Sequence, residues 1–402
     1  MPTVTRAEPA DAWLAGLRER LDQQAGAGLR RRAVTPPTGL IDLASNDYLD
    51  LRRHPRLIAA AMRVLGEGVG AGSSRLVAGT SAGHTDFEAR LAAFKGAERA
   101  LLMPSGYHAG LATLTALATP GDLILLDRLC HASLIDAALL ARARSPSIRV
   151  GRFAHNDAAD AQRRARRHAD RAPGSTVWIV TESVFSMDGD VAPLAGLAAV
   201  RDEVRAAGGR SAIVLDEAHA TGVLGPGGAG LSAECPGAAD VCVLTGSKAL
   251  GAWGGAVTGP GVVIDALVNF ARPLIYTTAT PPVLPAILGA SLDVIEREPD
   301  RRARLHAIAR AVRAGLRDLG WPAGAQGADP TPVVPLVVGS ARRAEALSAR
   351  LADGGFFAPA IRPPTVPARA CRVRLSLHAA LRDHDAERML AAIGPYDAAT
   401  RA

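Results

Sequence analysis

Short apolar runs rich in β-branched residues alternate along the chain with longer segments of helical periodicity. RALLMPS, DLILLD, TVWIVTES, SAIVLDEAH and DVCVLTGS predict buried strands, and YHAGLATLTALA, ASLIDAALLARA and PLAGLAAVRDEVRAA predict the helices between them. Near-continuous apolar strands joined by helices indicate an α/β fold with a mostly parallel sheet covered by helices on both faces. Such sheets bind their ligands outside the carboxyl ends of the strands.

The pattern changes after an apolar, Pro-rich stretch near residue 281. A helical stretch with charged turns leads to the strand-like TPVVPLVV, the helix AEALSARLAD, and then GFFAPAIRPP and CRVRLSLH, which predict a smaller α+β domain. We therefore expect an N-terminal helix and strand segment over 1–45, a large domain over 46–285 and a smaller C-terminal domain over 286–402.

Composition narrows the class of protein. The 402 residues are 48% hydrophobic and 21% charged, which is typical of a globular protein with a large core. The 4 cysteines stand far apart without a C-x-x-C pair, so we expect a reducing cytoplasm and neither a disulfide framework nor a metal site. No apolar signal core or membrane-length apolar stretch occurs, so we expect neither export nor membrane insertion. The net charge of +7 comes from scattered basic residues without interleaved aromatics, which argues against nucleic acid.

Lysine is almost absent from this chain. Of the 46 basic side chains, only Lys95 and Lys248 are lysines and the rest are arginine. A desolvated amine can lose its proton and attack a carbonyl, whereas a guanidinium stays protonated. Lys248 lies in LTGSKALGAWGG, directly after a predicted strand, and this position favours a chemical role over a chance surface lysine.

Other reactive side chains also follow predicted strands. His131 comes soon after DLILLD, Ser186 after TVWIVTES, and Asp216 and His219 at and after the end of SAIVLD. Taken singly, each has an ordinary structural explanation, such as a helix cap for the aspartate. Because the carboxyl ends of parallel strands meet at one edge of a sheet, however, these groups can converge with Lys248.

An amine, a carboxylate and two imidazoles suit pyridoxal 5'-phosphate (PLP). That cofactor needs a lysine for its aldehyde, a carboxylate for its pyridine nitrogen and groups that orient the ring. Ser105, Gly106 and Tyr107 open a helix directly after a strand, so their N–H groups are expected to face the phosphate, and Thr245 can add a hydroxyl.

Two rival phosphate motifs fail on their context. GEGVGA (66–71) fits a dinucleotide fingerprint but follows a helical pattern and not a strand. LTGSKAL resembles a P-loop but has Ala249 where the magnesium-binding hydroxyl belongs. A dinucleotide-binding protein or a nucleotide triphosphatase is therefore disfavoured.

Eight segments carry a resemblance to a known family. They are SNDYLDL (45–51), GSSRLVAGT (72–80), CHASLIDA (130–137), RFAHND (152–157), TESVFSMDGDVAPL (181–194), LDEAHATGVLG (215–225), TGSKALG (245–251) and IRPPTVP (361–367). Together they resemble the α-oxoamine synthases, fold-type I PLP enzymes that join an amino acid to an acyl thioester with loss of carbon dioxide. RFAHND, FSMDGD and IRPPTVP are most similar to the members that condense L-alanine with a pimeloyl thioester, on CoA or a carrier protein, in biotin biosynthesis.

The resemblance implies a role for each cofactor residue. Lys248 would hold the cofactor aldehyde, Asp216 would pair with the pyridine nitrogen, and His219 would bond the phenolic oxygen. His131 would stack on the ring and contact substrate, and Ser186 would lie near the ring's polar edge. The three remaining cofactor positions match the family's phosphate-binding residues: Gly106, Tyr107 and Thr245.

The resemblance also implies substrate contacts and a partner. Asn46, Thr365 and Arg30 match substrate-contacting positions, and Arg374 matches the arginine that binds the amino acid carboxylate. Successive side chains of a strand point to opposite faces, so residues two positions apart share a face. Arg372 and Arg374 should therefore lie on the same face of the predicted strand. The family is homodimeric with active sites at the interface, so Thr277 or Thr278 is expected to reach the partner subunit's phosphate.

Three positions depart from the family pattern. Asp50 and Ala220 replace glycines, and Arg369 stands where a turn glycine is common, so arginine would be strained if that turn needs a positive φ.

Two other functions stay open. One alternative function is a sibling synthase that uses glycine with acetyl- or succinyl-CoA or another acyl thioester. The other is a PLP-binding amino acid sensor without turnover.

Overall fold

The computed structural model describes residues 11–27, 29–31, 33, 35–322 and 330–396. Its helices are α1 (Ala12–Gly26), α2 (Pro55–Val64), α3 (Ala82–Lys95), α4 (Gly106–Leu117), α5 (Ala132–Arg144), α6 (Ala158–Arg171), α7 (Leu194–Ala206), α8 (Leu231–Glu234), α9 (Gly261–Phe270), α10 (Arg272–Ile275), α11 (Val283–Arg297), α12 (Pro299–Asp318), α13 (Ala341–Asp353) and α14 (Asp383–Ile393). Its strands are β1 (Ile41–Asp42), β2 (Arg99–Met103), β3 (Leu123–Asp127), β4 (Arg149–Phe153), β5 (Thr176–Glu182), β6 (Arg210–Asp216), β7 (Val241–Thr245), β8 (Gly255–Gly259), β9 (Val333–Gly339), β10 (Phe356–Phe357), β11 (Ala360–Ile361) and β12 (Cys371–Ser376).

The large sheet has seven strands in the order β2-β8-β7-β6-β5-β3-β4. Its strand pairs are parallel except those of β8, which runs antiparallel to both β7 and β2. The apolar runs predicted as strands form β2, β3, β5, β6 and β7. The expected mostly parallel sheet is therefore confirmed, and β4 and β8 are additions that the apolar pattern did not predict.

Helices cover both faces of this sheet, as the continuous apolar strands require. Val180 and Val214 pack in a core with α4, α5 and α9, whereas Ile179 and Ile213 pack in a core with α6 and α7. The alternation arises because successive side chains of a strand point to opposite faces.

The C-terminal part holds a three-stranded antiparallel sheet in the order β11-β12-β9. β1 pairs in parallel with β10, so the N-terminal strand joins this part of the molecule. The third core cluster joins residues of α2, α3, α11 and α12 to the C-terminal strands. The expected boundary at residue 285 falls inside α11, and the three domain limits stay a prediction.

The part of the chain that the structure describes lacks two features that would bear on function. No helix there combines the length and apolar character needed to cross a bilayer. Within the same residues, no group of three or more His, Cys, Asp or Glu side chains is arranged to hold a metal ion.

Candidate active site

A cavity of about 300 Å³ lies at the carboxyl ends of β5, β6 and β7. The position agrees with the general placement of ligands in α/β sheets. The side chains and backbone that line it are Ser105, Gly106, Tyr107, His131, Ser133, Glu182, Asp216, Ala218, His219, Thr245, Ser247, Lys248, Trp253 and Gly254. Seven of the residues predicted to bind cofactor are thus brought together, while the eighth, Ser186, lies outside the lining.

Lys248 and Asp216 form the electrostatic centre of the cavity. Burial lowers the pKa of the Lys248 amine, against the opposing charges of Asp216 and Glu182. Burial also raises the pKa of Asp216, against the attraction of Lys248, and Asp216 Oδ1 accepts a hydrogen bond from the Ala218 N–H at 2.9 Å. A lowered pKa makes the neutral amine accessible, which is the form that attacks a carbonyl or accepts a proton.

His219 is a neutral, fixed imidazole. It is buried, and burial together with nearby cations lowers its pKa well below the usual value. Its Nδ1 lies 2.6 Å from the Tyr48 hydroxyl, which is fully buried. This contact orients the ring, and sequence reasoning missed Tyr48 although it stands in the quoted SNDYLDL segment.

His131 has a different role in the local structure. Its side chain caps α5, accepting from the Ser133 N–H at 3.2 Å and lying 2.8 Å from the Ser133 hydroxyl. The ring is exposed at the cavity, so it is available to stack on a planar ligand. The capping bond is the reason that the ring is held at the start of this helix.

The start of α4 forms an anion site. Ser105 caps the helix by accepting from the His108 N–H, which leaves the first N–H groups free at the positive end of the helix dipole. Glycine is required at Gly106 because a Cβ there would lie 2.9 Å from the Cβ of Thr245. The same closeness to Gly106 places the Thr245 side chain beside the helix start. Its hydroxyl lies 2.9 Å from the Ser247 hydroxyl. The side chain of Tyr107 instead bonds Asp136 at 2.6 Å.

Glu182 is the cavity residue that sequence reasoning passed over. It is 3% exposed, stands in register with Asp216 across β5 and β6, and has one carboxyl oxygen without a hydrogen-bond partner in the protein. Burial and the Asp216 charge raise its pKa well above the usual value. An acidic residue at the end of the apolar run TVWIVTE is the signal that could have identified it.

These groups fit PLP. The free α4 N–H groups suit a phosphate, the Lys248 amine suits an aldehyde, and Asp216 suits a protonated pyridine nitrogen. The partnerless oxygen of Glu182 leaves hydrogen-bonding capacity that a polar ring can use. The donor set of this cavity therefore fits PLP.

The predicted substrate residues fall into two groups. Arg374 Nη2 donates to Asn46 Oδ1 at 2.8 Å, and Arg374 Nη1 donates to the Ser186 carbonyl at 2.9 Å, so these three residues lie together. Arg374 also helps to lower the pKa of both Lys248 and His219, which puts its charge close to the cavity. Alternation along β12 predicted that Arg372 shares a strand face with Arg374. Arg372 contacts the same turn as Arg374, the one that contains Ser186.

Thr365 and Arg30 do not line the cavity. Both are exposed, and Thr365 accepts a hydrogen bond at 3.0 Å from Arg31 Nη2, the neighbour of the arginine that we expected. Thr278 forms an isolated bridge with Ser74. The substrate roles of Thr365 and Arg30 and the partner contact of Thr277 or Thr278 stay predictions.

The three departures from the family pattern have different local settings. Asp50 has a φ of +55°, a conformation that glycine adopts freely and that aspartate tolerates better than most residues. Ala220 is fully buried in the core. Arg369 lies in a short 3₁₀ turn without a positive φ, so the strain considered for it does not arise.

Comparison with known proteins identifies the family. Residues 38–393 match the family model "Aminotransferase class I and II". The 8-amino-7-oxononanoate synthase of Gluconacetobacter diazotrophicus is 46% identical over 88% of this chain and 87% of its own length. That of Stutzerimonas stutzeri is 43% identical over 88% of this chain and 87% of its own length.

Solved structures agree with this assignment. The serine palmitoyltransferase of Sphingomonas wittichii superposes with a TM-score of 0.82 at 30% identity, over 97% of each chain. The 8-amino-7-oxononanoate synthase of Francisella tularensis superposes with a TM-score of 0.72 at 26% identity, over 89% of this chain and 97% of the other. The chain therefore belongs to the 8-amino-7-oxononanoate synthase family, a group of α-oxoamine synthases with the fold-type I architecture of PLP enzymes.

Proposed function

We propose that this protein condenses L-alanine with a pimeloyl thioester, giving 8-amino-7-oxononanoate, carbon dioxide and the free thiol, in biotin biosynthesis. The observation that carries the proposal is the Lys248 amine, with its lowered pKa, in a cavity that also holds Asp216 and lies beside Arg374. The relatives at 43–46% identity that are named for this reaction favour alanine and pimeloyl substrates. We further propose a cytoplasmic homodimer with the active site at the interface.

Each residue has a task in this reaction. Arg374 binds the alanine carboxylate through a planar, two-pronged guanidinium. The neutral Lys248 amine accepts the alanine α-proton at Nζ and later returns a proton to the same carbon. Asp216 would keep the pyridine nitrogen of bound PLP protonated, and His219 would hold its phenolic oxygen through the ring nitrogen that Tyr48 does not occupy. PLP, when bound, supplies the electron sink that makes the α-carbon nucleophilic.

The bonds and atoms balance with one proton taken from water. The alanine α-carbon forms a bond to the thioester carbonyl and the C–S bond breaks, which releases a thiolate that water protonates to the free thiol. Carbon dioxide then leaves from the resulting β-keto acid, and the proton returned by Lys248 completes the amino ketone. The thiol released is that of CoA or of a carrier protein.

Two alternatives remain distinguishable by experiment. A sibling synthase would use glycine or serine with a different acyl-CoA, and the serine palmitoyltransferase structures with TM-scores of 0.82–0.83 support this option at the level of the fold. A PLP-binding sensor would bind amino acid without releasing thiol. Arg374 beside a complete set of cofactor groups favours turnover over sensing.

The test is a substrate panel. Purified protein is mixed with alanine, glycine or serine and with pimeloyl-, succinyl-, acetyl- or palmitoyl-CoA or a pimeloyl carrier protein, and the products are identified by mass. We expect 8-amino-7-oxononanoate from alanine and a pimeloyl thioester, at a rate well above every other pair. A faster reaction with another pair would assign a sibling activity, and amino acid binding without any product would assign a sensor.

Arg374→Lys is expected to raise the alanine KM by about 10²-fold and to lower kcat as well. Lysine keeps the charge but cannot make the two-pronged contact, and a misplaced carboxylate loses the orientation needed for reaction. Steady-state rates against alanine concentration measure both effects. The matched control is Arg205→Lys, because Arg205 pairs with Asp240 at the far end of the sheet. An unchanged alanine KM in Arg374→Lys would show that Arg374 does not bind the alanine carboxylate.

A further inference from the structure

A hairpin outside the cavity connects the large sheet to the C-terminal sheet. It follows β5, and Val184 and Val191 close it through an isolated antiparallel bridge. Within it, the Phe185 N–H donates to the Asp190 carbonyl at 3.0 Å. We refer to residues 184–191 as the hairpin.

The C-terminal sheet holds the tip of the hairpin. Arg374 donates to the Ser186 carbonyl at 2.9 Å, and Arg372 donates to the Asp188 carboxylate at 2.6 Å. Gly189, at a φ of +70°, packs so closely on β9 that a Cβ there would lie 2.2 Å from a carbonyl oxygen of that strand. The position of the hairpin and the direction of Arg374 are therefore linked.

His155 holds the base of the hairpin to the large sheet. Its Nδ1 lies 2.9 Å from Asp127 Oδ1 at the end of β3, and its Nε2 lies 2.7 Å from Asp190 Oδ2. The ring also meets the Phe185 ring edge-on, with centroids 4.4 Å apart. Because both ring nitrogens face carboxylates, which accept hydrogen bonds, the imidazole carries two hydrogens and a positive charge.

We propose that His155 is a positioning residue, which ties the hairpin to the end of β3 and thereby fixes Arg374 beside the cavity. His155 lines no part of the cavity and has no step in the reaction described above. The inference rests on the proposed function only in taking the amino acid carboxylate as the ligand of Arg374.

Further contacts hold His155 in the required direction. The next residue, Asn156, has a φ of +55°, and its side-chain amide donates to Asp190 Oδ2 at 2.8 Å while its N–H donates to Asp127. A non-glycine residue in this region is uncommon and persists where its surroundings fix it. Two neighbouring residues thus bind the same two carboxylates.

The charges around His155 set the pH range over which it stays protonated and holds the hairpin to the end of β3. Burial alone lowers the pKa of His155, but the hydrogen bonds and charges of Asp127 and Asp190 outweigh it and raise the pKa to about 9. Those two aspartates, from β3 and from the hairpin, are the charged groups facing the ring. Asp160 on α6 accepts from the adjacent Ala154 N–H but pairs with Arg163 and Arg164.

The sign of the pH effect follows from this shift. A histidine whose pKa is raised from 6.5 to about 9 in the folded state stabilises that state fully below pH 6.5. The stabilisation is lost as the pH rises through about 9. We expect the melting temperature of the wild-type holoenzyme to exceed that of His155→Gln at pH 6, and this gap to close by about pH 10.

Two measurements on His155→Gln then test the positioning role. Hydrogen–deuterium exchange of peptides covering the hairpin should become faster, because the base of the hairpin is released. The alanine KM should rise about tenfold, whereas the KM for pimeloyl-CoA should stay within about twofold, since a displaced Arg374 affects carboxylate binding first. Asp190→Asn, which keeps the shape of the side chain, should give the same pattern, and the double variant should add little.

His168→Gln is the matched control. His168 is also buried, and its Nε2 bonds the Ser175 hydroxyl at 2.9 Å, but it lies on α6 away from the hairpin. It should leave hairpin exchange and the alanine KM unchanged. Equal effects of the two histidine variants, or a melting-temperature gap that stays constant from pH 6 to 10, would overturn the proposal.

The outcomes also separate this inference from the proposed function. If the wild-type protein forms no product from alanine with either pimeloyl-CoA or a pimeloyl carrier protein, the proposed function fails. Hairpin exchange and the pH dependence of the melting temperature still decide the role of His155, since neither needs turnover.

Discussion

Lys248→Ala is expected to abolish the covalent trapping of cofactor by borohydride. The wild-type protein should be yellow and should retain the reduced cofactor on Lys248 after denaturation, as measured by intact mass and peptide fragmentation. Turnover should fall by at least about 10²–10⁴-fold, the contribution expected from loss of the proton-transferring base alone. Lys248→Arg should fail equally, because a guanidinium supplies no neutral amine.

The chain provides an internal control for this experiment. Lys95 is the other lysine in the sequence, and it is buried against Glu217 and the Ala229 carbonyl. A buried ammonium that is paired in this way is not available to an aldehyde. Fragmentation should therefore find the reduced cofactor on Lys248 and none on Lys95. Covalent cofactor that persists in Lys248→Ala would contradict the assignment.

The fold was predictable where local sequence decides the structure. The first four residues of β3, LILL, are all apolar because the strand is buried on both faces, and such runs identify strands of a parallel sheet. β8 escaped prediction because GAVTG is short and begins and ends with glycine. The pairing of β1 with β10 joins residues more than 300 positions apart through two residues each, which no local pattern encodes.

The candidate site was predictable to a similar limit. Asp216 ends a strand and Lys248 and His131 follow strands, and the geometry of a parallel sheet is sufficient to bring strand ends together. Glu182 was missed because a single acid at the end of an apolar strand looks like its solvent-exposed boundary. The sequence predicted that Arg372 and Arg374 share a strand face. It could not predict that both donate hydrogen bonds to the hairpin, because that depends on how the two sheets pack.

Asp216→Asn is expected to leave cofactor binding largely intact and to reduce kcat by about 10²–10³-fold. Asparagine keeps the size of the side chain and can still accept from the Ala218 N–H, but it lacks the charge that keeps a pyridine nitrogen protonated. Without that proton the cofactor is a weaker electron sink, so proton removal from alanine slows. Cofactor content by absorbance and the rate of product formation separate binding from chemistry.

Glu182→Gln is the matched comparison, because Glu182 and Asp216 are neighbours in register on adjacent strands and burial raises the pKa of both. If Asp216 is the partner of the pyridine nitrogen, removing its charge should cost far more turnover than removing the carboxyl of Glu182, which burial already favours in its neutral form. Asp122→Asn serves as a second control. This aspartate is also buried and also accepts a backbone N–H, that of Thr176, but it lies at the opposite end of the sheet, so turnover per folded molecule should be unchanged. A collapse of kcat in Glu182→Gln together with near-normal kcat in Asp216→Asn would transfer the role to Glu182.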